Sequence, residues 1–151
     1  MMTFERDNFN IPISEIDRLA KMHYDELMDR SDITPFAIGY EKYKALYAKG
    51  LCTLISLRIG NLLVGYAVFL TYSHLHAQAN KMAQCDAMFI DPEYRKGFVG
   101  VRFIRECERI LFDNGIDKVT WSVNPKLDWS PILTRSGYKL SSMSYSKYKG
   151  D

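Results

Sequence analysis

Apolar positions near the start of the chain recur with a helical period. Ile16, Leu19, Ala20, His23, Tyr24 and Leu27 share one face, and Ser14 stands three residues before Asp17 in a capping-box pattern. This predicts a helix over residues 14–30, broken by Ser31-Asp32-Ile33-Thr34-Pro35. A second helix is expected over 41–49, with Tyr43, Leu46 and Tyr47 inward and Gly50 closing it. The pattern then turns strand-like. Residues 51–58 carry Cys52, Leu54, Ile55 and Leu57, Ile59-Gly60-Asn61 reads as a turn, and 62–72 is a long strand, so a hairpin is predicted. Residues 73–80 are polar and read as a loop, and 84–91 as a strand stopped by Pro92. A strong amphipathic helix covers 99–114, with Val99, Phe103, Cys107, Ile110 and Leu111 on one face. A strand follows over 118–123, then a short helix from 130 or 131 to 136, then strand character over 138–148.

The strand at 84–91, the helix at 99–114 and the strand at 118–123 form a crossover unit, which makes parallel strands. The preceding hairpin is antiparallel. The expected architecture is therefore a mixed twisted α+β sheet with helices on both faces, as one domain over residues 1–151.

Composition narrows the function. Hydrophobic residues make up 47% and charged residues 25%, which fits a folded globular chain. Lys plus Arg total 20 against 18 for Asp plus Glu. A formal charge of +2 argues against a nucleic-acid binder. The apolar run over 62–70 is too short to span a bilayer, and the charged N-terminus lacks a signal-peptide core, so a cytoplasmic location is expected. Cys52, Cys85 and Cys107 are widely spaced with no CxxC pair, as buried reduced thiols would be, and no metal site is expected.

The informative joint is Asp91 to Gly100. A glycine-bearing loop that opens a helix presents unpaired amides at the positive end of the helix dipole. That is an anion site, and phosphates are its usual guests. Arg95 and Lys96 add two cations there, while Gly97 and Gly100 permit close approach of the backbone. The signature is neither Walker A nor Rossmann. It suggests a diphosphate-bearing ligand, the plainer alternative being a turn with two glycines and solvated cations.

The run from Phe89 through Asp91-Pro92-Glu93-Tyr94-Arg95-Lys96-Gly97-Phe98-Val99-Gly100 resembles motif A of the GNAT family of N-acetyltransferases, whose loop has the form Arg/Gln-x-x-Gly-x-Gly/Ala. Asn114-Gly115-Ile116, Asn124 and Ser136-Gly137-Tyr138 resemble its later segments, and the element order matches over 51–148. The loop also looks like that of short acetyltransferase-like proteins of bacteriophages. The resemblance implies the acyl-CoA N-acyltransferase fold and acetyl-CoA as cofactor. It implies backbone contacts from Met88, Phe89 and Ile90 to the pantetheine arm, the Ile90 amide as oxyanion donor, and a diphosphate grip by Arg95, Lys96, Gly97, Phe98, Val99 and Gly100, with Asn124 beyond. The acceptor is then a primary amine of a small molecule or protein, in a monomer or homodimer.

Asp86 is the expected general base, because alternation along its strand sets Asp86, Met88 and Ile90 on one face. His74 and His76 are lesser candidates in the preceding loop. Phe98 occupies the family's central glycine position, and Leu133 the position where a tyrosine often serves as acid. Tyr145 is the expected replacement acid. These two departures motivate the alternative of a fold member that binds without turnover, such as a phage component or host-factor antagonist.

Overall fold

A short edge strand, β1 (Met2–Asp7), begins the chain. The sequence pattern hid it, because Glu5, Arg6 and Asp7 mask the alternation of Met2 and Phe4. Those two apolar side chains pack on the core, with the Phe4 and Phe103 rings stacked 5.9 Å apart. The computed structural model describes residues 1–28 and 30–151. Helix α1 (Ile13–Leu27) follows, then α2 (Tyr40–Ala48). The expected capping box at Ser14 does not form: Pro12 is the N-cap, with no side-chain cap bond. Glu15 instead accepts from the Leu63 amide at 3.2 Å and pairs with Arg58 at 2.8 Å, tying the helix start to the sheet. The helix ends three residues before the expected boundary, and Asp29 lies outside the described residues.

Strands β2 (Cys52–Ile59) and β3 (Leu62–His74) form the expected hairpin. β4 (Ala77–Ile90) begins seven residues before the predicted start at 84. Residues 73–80 are mostly hairpin rather than loop, polar because that end of the ribbon is largely solvated. A 3-10 turn at Pro92–Tyr94 leads to α3 (Val99–Asp113), and β5 (Lys118–Thr120) returns parallel to β4. A second 3-10 turn at Pro125–Leu127 precedes α4 (Ser130–Arg135).

The five-stranded sheet runs in the order β1-β2-β3-β4-β5, and every neighbour is antiparallel except β4 and β5. One face packs Ile55, Leu57, Val64 and Phe69 against Phe103, Cys107 and Leu111 of α3. The other packs Leu54, Tyr66, Val68 and Phe89 against Leu19 of α1 and the inward side of α2. The expected strand over 138–148 does not form. Leu140, Met143 and Tyr145 are 81%, 69% and 90% exposed. Strand-like alternation needs a partner edge, and β5 offers only three residues.

Candidate active site

β4 and β5 are paired over three steps only, from Met82–Lys118 to Gln84–Thr120. Beyond them β5 ends, while β4 continues to Ile90 held by β3 alone. A cleft of about 550 Å³ opens along this free edge. Its walls are residues 85–90 of β4, the entrance of α3, the segment after β5, and the last two turns of α1.

The ladder fixes which backbone groups face the cleft. The Asp91 amide donates to the Val64 carbonyl at 2.8 Å, one step beyond the Gly65–Ile90 pair. Bonded and non-bonded pairs alternate in an antiparallel ladder. The amides and carbonyls of Ile90 and Met88 therefore point away from β3, to the free edge. Phe89 departs from the expectation: its backbone groups face β3, and its ring lies on the α1 side of the sheet.

A bulge moves Asp86. Val68 pairs with Ala87, but Phe69 pairs with Cys85, so Asp86 is an extra residue. Cys85, Met88 and Ile90 pack toward α3, whereas Asp86 reaches α2, where the Tyr43 hydroxyl donates to its Oδ2 at 2.6 Å. The expected single face of Asp86, Met88 and Ile90 is thus broken, although Asp86 still borders the cleft. Burial, then the Asp86 carboxylate, pushes the Tyr43 hydroxyl pKa upward.

The entrance of α3 is a cluster of donors. Val99 N–H reaches the Lys96 carbonyl at 3.4 Å and Arg102 N–H reaches Phe98 at 2.9 Å. Among the described residues, the amides of Lys96, Gly97, Phe98, Gly100 and Val101 donate to no protein group. Gly97 is left-handed at φ 59°, which turns the chain into the helix at no Cβ cost. Gly97, Gly100 and Val101 line the cleft, but the side chains of Lys96, Phe98 and Val99 do not. Phe98 is 78% exposed, so its ring leaves the turn open. Val99 packs on the core.

Arg95 lines the cleft, and its guanidinium is paired with α1. Its Nη1 and Nη2 donate to both oxygens of Glu26 on α1, at 3.0 and 2.9 Å. Nε donates to the Ile90 carbonyl at 2.7 Å, and the guanidinium lies 5.0 Å from the Phe89 ring centroid. With the Arg18–Asp91 pair at 3.1 Å, it ties both ends of the strand-to-loop joint to α1. Asn124 lines the cleft, with its Oδ1 accepting from the Lys126 amide at 2.9 Å to cap the following turn. Tyr145 lies outside the cleft, on the exposed C-terminal segment, so the expected replacement acid is not at the site. His74 and His76 face each other across the tip of the β3–β4 hairpin, away from the cleft.

His23 is a cleft residue that periodicity placed simply on an apolar stripe. Its ring stacks on Phe89 at 5.0 Å, and its Nδ1 shares a 2.8 Å hydrogen bond with the Tyr66 hydroxyl. Burial lowers its pKa, Glu26 partly opposes this, and Arg95 adds to the lowering. Its signal in the sequence was a titratable ring among apolar helix positions. Cys85 also borders the cleft, but burial pushes its thiol pKa up, which suits packing rather than attack.

Among the described residues no helix is long and apolar enough to cross a membrane. No curated protein matches the sequence. Solved structures do. An aminoglycoside acetyltransferase from an uncultured soil metagenomic sample, in complex with sisomicin, superposes with a TM-score of 0.72 at 14% identity, over 98% of this chain and 97% of that one. Ribosomal-protein-alanine N-acetyltransferase from Brucella melitensis biovar Abortus 2308 gives 0.72 at 11% identity, covering 99% of each chain. A predicted acetyltransferase with acetyl-CoA from Clostridium acetobutylicum gives 0.66 at 9%, over 98% and 96%. At such identities these likenesses establish the fold. The family model for the Acetyltransferase (GNAT) family matches residues 16–130. That span takes in most of α1, the free edge of β4 and the donor-rich entrance of α3, and the chain belongs to the GNAT family of acetyltransferases.

Proposed function

We propose that this chain transfers the acetyl group of acetyl-CoA to a primary amine of a small cationic molecule. The observation that carries the reading is the set of unpartnered amides at the entrance of α3, adjoining the free edge of β4. Amides at a helix start suit a diphosphate. An unpaired strand edge suits the amide-bearing pantetheine arm, which takes the place of a further strand. Bound there, acetyl-CoA supplies an activated thioester. The Ile90 amide, directed at that edge, is a donor for charge developing on its carbonyl oxygen. Asp86 puts a carboxylate at the mouth, which attracts a cationic acceptor. An aminoglycoside acetyltransferase in complex with sisomicin shares this fold, consistent with such an acceptor. A departing thiolate is a tolerable leaving group, with a thiol pKa of about 8.5, so the placement of Leu133 and Tyr145 outside the cleft does not bar turnover.

Calorimetry with acetyl-CoA and a thiol-release assay over an amine panel test the reading. Saturable binding with amine-dependent thiol release is expected. Absence of binding refutes it. Binding without release across the panel supports instead a fold member that has lost turnover, a reading favoured by the place of Tyr145 outside the cleft.

A further inference from the structure

His23 lines the cleft from the α1 side. Its ring lies against Phe89, the residue between Met88 and Ile90, whose backbone groups face the free edge. The imidazole thus covers the α1 side of the strand segment that would carry the thioester. Tyr66 on β3 engages Nδ1, which fixes the ring's orientation and leaves Nε2 as its other nitrogen. Asp86, the alternative base, is displaced by the bulge and already accepts from Tyr43.

We propose that His23 accepts the proton of the acceptor amine through Nε2 during acetyl transfer. This rests on the acetyltransferase reading above. The amine nitrogen forms its bond to the acetyl carbon as the carbon–sulfur bond breaks, and that bonding pair leaves on sulfur. The nitrogen's proton passes to Nε2, the thiolate takes a proton from water, and His23 returns its own to solvent. The required tautomer carries hydrogen on Nδ1, donated to the Tyr66 oxygen. The surroundings favour a neutral ring. The charged and titratable neighbours are Glu26 on α1, Arg95 after β4 and Tyr66 on β3, and desolvation outweighs the carboxylate. A neutral imidazole at working pH is the form that accepts a proton.

The test compares wild type with His23→Gln and His23→Ala. Calorimetric affinity for acetyl-CoA should stay within about twofold, while kcat falls about 100-fold or more, the usual scale of general-base loss. The part of the kcat/KM–pH profile set by His23, below about 6.5, should vanish while the limb set by protonation of the acceptor amine remains, and added imidazole should restore part of the rate to His23→Ala. Rates and profile unchanged in both variants overturn the role of His23 and leave the acetyltransferase reading standing. Wild type that fails to bind acetyl-CoA, or binds it and acetylates nothing, overturns both. Nitrogen-15 NMR of the wild-type imidazole gives a readout independent of variant folding: an Nδ1–H tautomer supports the assignment, and an Nε2–H tautomer overturns it.

Discussion

Arg95 separates what its motif position implies from what its contacts show. Arg95→Ala removes a bidentate pair to Glu26, a 2.7 Å bond to the Ile90 carbonyl and a cation–ring contact with Phe89. The pair is about a quarter exposed on each side, at 29% and 26%, so solvent screens it. It is worth about 0.5–1 kcal/mol. The charge-assisted bond adds about 1.5 kcal/mol at the low end of its range, and the ring contact about 0.5–1 kcal/mol. The sum is about 3 kcal/mol, which at about 2–4 °C per kcal/mol for a chain of this size lowers Tm by about 6–12 °C. Because the guanidinium is committed to α1, affinity for acetyl-CoA should weaken by about threefold at most, through loosening of the loop. Glu26→Ala should reproduce only the share of the ion pair, about 0.5–1 kcal/mol, and the double variant should fall short of additivity. Thermal melts followed by calorimetry on the same samples decide it. A variant that melts within about 2 °C of wild type but binds acetyl-CoA more than about tenfold worse would place the side chain on the diphosphate and refute this reasoning.

The two loop glycines should respond differently. Gly97→Ala forces a Cβ into the left-handed region and should cost about 1–2 kcal/mol. Gly100→Ala meets only Ile132 Cδ1 at 3.7 Å and should leave Tm unchanged, while Gly100→Asp should weaken acetyl-CoA binding by setting a carboxylate among the anion-binding amides. Asp86→Asn should raise KM for cationic amines with a smaller change in kcat, read by steady-state kinetics against acceptors of different charge. Stability should depend on His23 protonation. Its native pKa lies below the unfolded value of about 6.5, so the unfolded chain binds the extra proton first. The stability present above 6.5 is lost as pH falls through the native value, and His23→Gln should flatten that part of a denaturation–pH series. Tyr145→Phe should leave rate and Tm unchanged, since the side chain is 90% exposed.

Local pattern sufficed for the elements that carry strong periodicity. The α1 stripe, the β2–β3 hairpin, α3 and the glycine-bearing turn before it are written in nearest-neighbour chemistry, and so the donor-rich helix entrance could be located from residues 95–100 alone. Elements that depend on distant partners could not. β1 is a strand because β2 offers an edge and Phe103 a surface for Phe4. Residues 138–148 have strand-like spacing but no edge long enough to hold them.

The candidate site divides in the same way. Sequence alone determined that a helix entrance rich in free amides follows a strand stopped by Pro92, because helix termini and proline act within a few residues. Tertiary structure decided the rest. The one-residue bulge that turns Asp86 toward Tyr43, the Glu26 carboxylate that claims Arg95, and the approach of His23 to Phe89 and Tyr66 all join residues more than forty positions apart. No local spacing encodes such contacts; they arise only when α1 and α2 close over the sheet and bury the groups they bring.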